Sequence, residues 1–340
     1  MKSQFPRATL VATLALLLLP VGSRGQDADH SGDRFRDRID HDAGLTESQR
    51  SRMRDHLQSC KDLAMTGEQL DAMFPDGGSH FSAEARLRMQ ERVLELAGDG
   101  HPYDLLCNKI AEGEMKRARE RDVERAVQRM GEYVGTAHQY MLQAKRDGVS
   151  GLNNAGAEQH LQRGLAMNMW RGLQQSELEQ LRAHAQERLG DGSCDLIDLS
   201  AAAETATELK EIGVGSERAV GLSGDALREG YAAADMRRLG RMAIVAHRNG
   251  EPSDRFCDQL RDHIRRHNDL GDMQHTMMQD GWMGPESMGH GYGGHSPVDD
   301  VMGGGHHDGM GGHHDDGGMG RHHNDGGMGN DPMDHGRSRK

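Results

Sequence analysis

Aromatic residues are scarce in this chain of 340 residues, which has two Trp, five Tyr and five Phe, and all hydrophobic types together make up 35 %. Both values are low for one large core, because burial of apolar side chains is the main force that offsets chain entropy. The composition therefore predicts an ordered region flanked by polar, disordered ends.

Motifs of common enzymes are also missing. The chain has no G-x-S-x-G, H-E-x-x-H, Walker A or C-x-x-C-H sequence, so hydrolase, zinc protease, nucleotide-binding and c-type haem functions have no motif support. Acidic pairs do occur, but 28 % of the residues are charged, and such pairs are typical of a solvated helix face. We expect a protein that is not an enzyme.

Apolar runs long enough for a membrane helix are absent after the N-terminal segment. There, Lys2 and Arg7 precede an apolar run from Ala8 to Leu19, which is too short to span a bilayer and ends at Pro20. This pattern predicts a cleaved signal peptide in residues 1–25, and hence a periplasmic or extracellular protein without membrane insertion. An uncleaved N-terminal anchor is the alternative.

Basic residues are fewer than acidic residues, with 41 Lys and Arg against 54 Asp and Glu. The formal charge is −13, and removal of Lys2, Arg7 and Arg24 with the signal leaves −16. An acidic surface disfavours nucleic acid and anionic membranes as partners and favours cations. We expect metal ions as partners, together with a protein partner outside the cytoplasm.

Helix signals are concentrated in residues 45–270. Three residue pairs have the spacing of a capping box, in which two side chains bind free backbone N–H groups at a helix start. They are Thr46 and Gln49, Thr66 and Gln69, and Ser176 and Glu179. Two apolar stripes at helical spacing are Val123, Ala126, Val127, Met130, Val134, Ala137 and Met141, and Leu161, Leu165, Met169 and Leu173. Strand patterns are weak, so we predict an all-α fold.

A short motif occurs twice, 150 residues apart: residues 100–107 (GHPYDLLC) and 250–257 (GEPSDRFC) share the pattern G-x-P-x-D-x-x-C. In both copies a helix is predicted to end at the glycine, and the proline to lie just inside the next helix. The repetition predicts an array of short antiparallel helices in two duplicated halves. Composition and this repetition together divide the chain into a predicted signal (1–25), a charged linker (26–44), half 1 (45–150), half 2 (151–270) and a tail (271–340).

The chain has four cysteines, which are Cys60, Cys107, Cys194 and Cys257. Two of them lie in each half, and no C-x-x-C pair occurs. Export permits disulfide bonds, and the duplication favours Cys60–Cys107 and Cys194–Cys257 among the three possible pairings. A disulfide bond that closes a loop of about 50 residues would lower the conformational entropy of the unfolded chain, which stabilises the fold by roughly 4 kcal/mol. Four free, buried thiols are the alternative.

Three segments carry a resemblance to other proteins. Residues 211–219 (EIGVGSERA), 227–231 (LREGY) and 104–113 (DLLCNKIAEG) are similar to helical-repeat segments of uncharacterised bacterial secreted proteins. The resemblance implies a bacterial, helical, exported protein and no particular activity.

The tail, residues 271–340, contains twenty Gly, ten His, ten Met and ten Asp. So much glycine predicts a segment without stable structure in the absence of metal. A unit of paired histidine, an acid and a methionine repeats along it. The unit supplies the predicted metal ligands His306, His307, Asp308, Met310, His313, His314, Asp315, Met319, His322, His323 and Met328.

The two main ligand types indicate the metal. Imidazole binds Cu(II), Ni(II) and Zn(II), whereas the soft thioether of methionine selects Cu(I) or Ag(I). Copper is the predicted ion, with nickel, zinc and silver as alternatives, and the tail resembles those of periplasmic copper- and silver-binding proteins of bacterial metal-resistance systems. Calcium is disfavoured, because residues 326–334 match a calcium-binding nonapeptide once and His322 replaces the ligand aspartate of the preceding unit.

Other possible ligands lie before the tail. Met167, Met169 and Trp170 offer a methionine–aromatic copper site, although core packing on an amphipathic helix explains Met169 and Trp170 better. His263 and His267 lie at positions i and i+4, where two imidazoles can share one ion. Three other histidines have no second histidine close to them in the sequence, which is typical of hydrogen-bonded or surface residues. They are His138, His160 and His184.

Two functions fit these patterns. The first is an exported metal-binding protein, a copper buffer or chaperone with weak binding at several sites and rapid exchange. The second is a structural or interaction protein whose helical array docks a partner, with the tail as a spacer.

Overall fold

The computed structural model of the protein describes residues 28–152 and 154–266 together with residue 275, and for residues 28–32 and 191 it describes the backbone alone. The described residues form twelve α-helices. In chain order they are α1 (Ala28–His41), α2 (Glu47–Asp62), α3 (Gly67–Met73), α4 (Ala83–Gly98), α5 (Asp104–Met115), α6 (Glu120–Arg146), α7 (Ala155–Trp170), α8 (Gln175–Asp191), α9 (Leu196–Glu211), α10 (Ser216–Arg228), α11 (Ala233–Arg248) and α12 (Ser253–Arg265). The predicted signal lies outside the described residues, as does all of the tail except residue 275.

The all-α prediction is confirmed, since no β-strand occurs in the described ranges. One isolated parallel bridge does occur there, between two helix connections. The Ser150 N–H donates to the Cys194 carbonyl oxygen (2.9 Å), and the Leu196 N–H donates to the Ser150 carbonyl oxygen (3.1 Å). This bridge fastens the α6–α7 connection to the α8–α9 connection.

The helices pack mainly on their second neighbours along the chain. One series joins α2 to α4 and α4 to α6, and continues from α7 to α9 and from α9 to α11. Another joins α3 to α5, and α8 through α10 to α12. Contacts of α6 with α7 join the two parts of the first series, and contacts of α5 with α6 and of α9 with α10 connect the two series. The described helices therefore form a continuous array within one compact unit.

The two copies of the G-x-P-x-D-x-x-C motif form the same kind of helix end. Gly100 and Gly250 have φ values of 76° and 88°, which glycine reaches without steric strain. The His101 N–H donates five residues back, to the Leu96 carbonyl oxygen at 2.9 Å, and the residue after Gly250 makes the equivalent bond at 3.1 Å. The preceding helix therefore ends in a Schellman-type turn at both sites.

The prolines of this motif lie slightly earlier than predicted. Pro102 precedes Tyr103, the N-cap residue of α5, and Pro252 is itself the N-cap residue of α12. The expectation that they lie just inside the helices is wrong by one or two positions. A proline ring is tolerated at either place, because no N–H is required before the first helical turn.

Helix α1 corrects the prediction of a charged linker over residues 26–44. Phe35 and Ile39, one helical turn apart, are buried in the core. The ring centroids of Phe35 and Phe74 are 6.3 Å apart, and the Arg38 guanidinium donates to the Phe74 carbonyl oxygen at 2.8 Å. Two apolar residues are too few to show a period in the sequence, so the charged composition concealed a short amphipathic helix.

Two of the three predicted capping boxes are confirmed, at the starts of α2 and α3. The third is wrong: α8 begins at Gln175, and Glu177 rather than Glu179 accepts the Gln174 N–H, at 2.7 Å. The Glu177 carboxylate is also held by the Lys210 ammonium at 2.6 Å, a contact from α9 that sequence spacing does not reveal. The two predicted apolar stripes are buried, apart from Ala126, which is half-buried.

Candidate functional site

The predicted metal ligands of the repeated unit all lie outside the described residues. They are His306, His307, Asp308, Met310, His313, His314, Asp315, Met319, His322, His323 and Met328. His267 lies outside them as well, whereas His263, its predicted partner, lies in the last turn of α12.

The described helices contain no cluster of three or more His, Cys, Asp or Glu side chains that could hold a metal ion. In the same part of the chain, no helix is both long and apolar enough to cross a membrane.

The four cysteines are free thiols, and no two of them are within disulfide-bonding distance. The bonds predicted from the duplication are therefore not formed in the structure: Cys60–Cys107 and Cys194–Cys257. Cysteine order along the chain limits the possible pairings, but helix packing sets the separation of the sulfur atoms. Cys60 and Cys107 do share a neighbour, because both add to the effect of burial in raising the pKa of Tyr103.

Burial also determines the chemistry of these thiols. It raises the pKa of Cys60, Cys107, Cys194 and Cys257 to about 12 in each case. The thiolate is the form that attacks electrophiles and binds metals, so a neutral buried thiol does neither readily. In this structure the four cysteines act as small core residues.

The segment around Trp170 packs against the rest of the protein. Met169 is buried, and the Lys109 ammonium lies over the Trp170 ring, 4.4 Å from a ring centroid. The same ammonium is 2.9 Å from a carboxylate oxygen of Glu112. A lysine thus occupies the cation–π position that Cu(I) would take on that indole face. This arrangement agrees with the packing interpretation of Met167, Met169 and Trp170.

Two histidines that stand apart in the sequence meet in the fold. The rings of His101 and His138 have centroids 4.6 Å apart and are tilted by 57°. The Gln162 amide nitrogen donates to the Val134 carbonyl oxygen at 3.0 Å and to His101 Nδ1 at 3.2 Å. Because the amide NH₂ group only donates, His101 Nδ1 accepts, and the ring proton is on Nε2.

This tautomer is unsuited to a shared metal. A metal at His101 Nε2 would require the proton at Nδ1, where the Gln162 amide donates. Burial, then the nearby His101 and Lys145, lower the pKa of His138, which is therefore neutral at neutral pH. The pair fixes the α4–α5 turn against α6 and α7. The only sign in the sequence was that His101 lies in the repeated motif.

The other single histidines are held by local packing. Burial, with the cations Arg163 and Arg237, lowers the pKa of His160. The His184 ring lies directly on Gly224, so closely that a Cβ atom there would overlap with it. These contacts explain both side chains without a ligand.

Glu208, a half-buried glutamate with a buried carboxylate oxygen, lies between α9 and α11. Burial, reinforced by the nearby Glu204, raises the pKa of Glu208 to about 7. Its Oε2 atom has no hydrogen-bond partner and lies against the backbone of Gly240, leaving no room for a Cβ atom. Glu208 can therefore exchange a proton near neutral pH. Sequence patterns did not indicate this group, since burial of one acid depends on the close approach of a distant helix.

An open groove of about 790 Å³ lies between α1 and the loop that joins α3 to α4. Apolar side chains contribute to its surface, among them Ile39, Met53 and Phe74. Charges of both signs surround them, and Arg86 is paired with Asp42 at 2.9 Å. These apolar side chains are themselves buried beneath the groove, and charges of both signs form its rim. Such a lining suits a stretch of polypeptide better than a single ion.

The resemblances drawn from residues 104–113, 211–219 and 227–231 and from the tail stay predictions. No protein-family model matches the chain, and no curated protein or solved structure is significantly similar to it. The function is therefore proposed from the residues of the chain itself.

Proposed function

We propose that the protein is an exported metal-binding protein that buffers or carries copper through residues 271–340. The observation that carries this proposal is the ligand content of that segment, with ten His and ten Met. Imidazole pairs bind Cu(II), and thioethers bind Cu(I) or Ag(I), so one segment has ligands for both oxidation states of copper. A segment that served only zinc or nickel would have no use for ten methionines.

The spacing of these ligands suits a buffer better than a single tight site. Two complete units begin at His313 and His322, nine residues apart, and glycines separate the ligands within them. Each unit can wrap an ion separately, which gives several sites of moderate affinity and rapid exchange. The acidic charge of the chain raises the local concentration of cations.

The described helices are consistent with a supporting role in this function. Their thiols are buried and neutral, and their paired histidines have a tautomer that opposes metal binding. For this reason we assign metal binding to the tail, and we propose that the helical array is the folded body that carries the tail.

The test is a titration of the full-length chain with Cu(I), Ag(I) and Cu(II). Replacing Met310, Met319 and Met328 by Leu removes soft donors without changing charge, so Cu(I) and Ag(I) binding should fall while Cu(II) binding survives. Replacing the paired histidines by Asn should have the opposite effect. In the parent chain, Cu(II) binding should weaken below about pH 6.5, where imidazole protonates.

A matched control exists in the helical region. Met115 is 80 % exposed at the end of α5, so Met115→Leu changes an exposed thioether outside the tail and should leave every titration unchanged. If the tail variant binds Cu(I) as well as the parent does, the tail methionines are not ligands. A nickel or zinc site, or a spacer, would then be the better interpretation.

A second function is favoured by one observation, the groove of about 790 Å³ beside α1. Its apolar floor and charged rim are suited to a protein segment, so the helical array can dock a partner outside the cytoplasm. The two functions are compatible, because the tail and the groove use different residues.

A further inference from the structure

The loop that joins α3 to α4 spans residues 74–82, and its first five residues form one wall of the groove beside α1. We call these nine residues the strap. Gly77 and Gly78 lie in its middle with φ values of 73° and 84°, a conformation that other residues rarely adopt. At its first residue, the Phe74 carbonyl oxygen accepts from Arg38 of α1 at 2.8 Å. The strap thus has a glycine hinge between two fastened ends.

The second end is fastened by a histidine with two acceptors. His80 Nδ1 is 2.7 Å from Glu114 Oε2, and His80 Nε2 is 2.9 Å from the Ala118 carbonyl oxygen. Neither a carboxylate nor a carbonyl oxygen can donate a hydrogen bond. Both contacts are hydrogen bonds only when the ring carries a proton on each nitrogen, that is, when His80 is an imidazolium.

Neighbouring bonds connect the strap to the same region. The Ser79 hydroxyl donates to the other carboxylate oxygen of Glu114. The Ser82 N–H donates to a carboxylate oxygen of Glu120 in the first turn of α6, at 2.7 Å. The strap is therefore joined to α5, to α6 and to the turn between them.

The charges around His80 favour its protonated form. The Ala118 carbonyl, followed by the Glu114 carboxylate, raises the pKa of His80 above its usual value of 6.5, although desolvation and, less strongly, Arg117 oppose this effect. The side chain is 33 % exposed, so its proton exchanges with solvent. The attachment is complete well below pH 6.5 and weakens as the pH rises through the raised pKa.

We propose that His80 is a pH-dependent latch that holds residues 79–82 of the strap to α5 and α6, closed when His80 donates to Glu114 and Ala118 and released when the ring loses one of its two protons. The lost proton passes to solvent, and the nitrogen left without it faces an acceptor with its own lone pair. One bond is replaced by a repulsive contact, and the strap turns about Gly77 and Gly78. The released residues adjoin Gly77 and Gly78 of the groove wall, and the latch does not depend on metal binding by the tail.

The test is amide exchange of the full-length chain at about pH 5.5 and about pH 8.5, expressed as protection relative to the intrinsic rate at each pH. The Phe81 and Ser82 amides report the strap, because each donates a hydrogen bond there. We expect their protection to fall about tenfold between the two conditions, the effect of losing one hydrogen bond to a charged group. In His80→Gln it should be low at both.

Two further variants separate this proposal from simple loss of structure. In Glu114→Gln, the NMR titration of His80 should shift to lower pH, because the carboxylate that stabilises the imidazolium is gone. His247→Gln is the matched control, since His247 bonds to Ser253 at the α11–α12 turn, far along the chain. It should behave as the parent does. A His80 titration at or below the usual value, or strap protection that does not change with pH in the parent, would overturn the proposal.

Discussion

The cysteine thiols provide a residue-level test of the core. Because their pKa values are raised to about 12, nearly all of each thiol is protonated at neutral pH. Alkylation requires the thiolate and access to it. We expect iodoacetamide to modify the native full-length chain slowly, and to modify all four cysteines rapidly once the chain is unfolded in denaturant without a reductant. Mass spectrometry counts the modified sites.

The same experiment tests the pairing inferred from the duplicated motif. A reduced and unfolded sample defines complete modification. If the unfolded chain reacts fully only after reduction, the cysteines are oxidised in the isolated protein, and peptide mapping without reductant identifies the bonds. Detection of the bonds Cys60–Cys107 and Cys194–Cys257 would then contradict the free thiols of the structure.

Individual contacts were predictable from the sequence only where both partners are close along the chain. Thr46 and Gln49 form their capping box as expected, because the box is made within one helical turn. The bond between His80 and Glu114 joins residues 34 positions apart, and no local pattern indicates it. The ligand set of the tail is the opposite case, since its repeated unit is visible without any fold.

Helix contacts depend on the absence of side chains at particular glycines. Gly113 of α5 lies against α6, and a Cβ atom there would be 2.5 Å from Val123 Cγ2 and 2.8 Å from Val123 Cγ1. A β-branched side chain has few rotamers through which to move away. We expect Gly113→Ala to lower the free energy of unfolding by roughly 1–3 kcal/mol, the usual cost of overpacking. Urea unfolding at equilibrium measures it.

The matched control is Gly135→Ala in α6, where an added Cβ atom would meet no atom within 4 Å. Alanine is favoured over glycine inside a helix, so this variant should gain up to about 1 kcal/mol. Opposite signs for the same substitution would identify the α5–α6 contact as the cause. A neutral or stabilising Gly113→Ala would show that these helices are further apart than the structure has them.

Helices were predictable from the sequence to the extent that each carries its own period. The stripes of α6 and α7 identified buried residues correctly except for the half-buried Ala126, because seven and four apolar residues are enough to define helical spacing. Leu173 of the second stripe is buried but lies beyond the end of α7. In α1 only Phe35 and Ile39 are buried among the residues whose side chains are described, and its partner surface includes Phe74, far along the chain. Tertiary contact rather than local pattern stabilises that helix.

At the scale of the whole molecule, the low aromatic content is compatible with a sizeable folded region. The buried core consists largely of Leu, Ala and Met, with few buried aromatic rings in the described ranges, Phe35 and Phe256 among them. Alanine-rich helices such as α9 approach their neighbours closely, so small side chains replace aromatic volume. Composition predicted an ordered part and a distinct tail, but not the share of the chain that the helices occupy.

The proposed division between helical body and metal-binding tail makes a thermodynamic prediction. A ligand stabilises a fold only if it binds the folded chain better than the unfolded one. The proposed ligands between His306 and Met328 are close neighbours in the sequence, so they are equally available when the helices unfold. Saturating Cu(II) or Ag(I) should therefore leave the thermal midpoint of the helical signal nearly unchanged, as measured by far-UV circular dichroism.

A site built on the folded helices would behave differently. At a free ion concentration of about 100 times Kd, it would add about 2.7 kcal/mol to the free energy of unfolding. That gain corresponds to a rise of roughly 5–10 °C in the midpoint for a folded region of this size. The variant without the paired tail histidines, and reversal by a chelator, serve as controls. A rise of that size that persists in this variant would move the metal site from the tail to the helices.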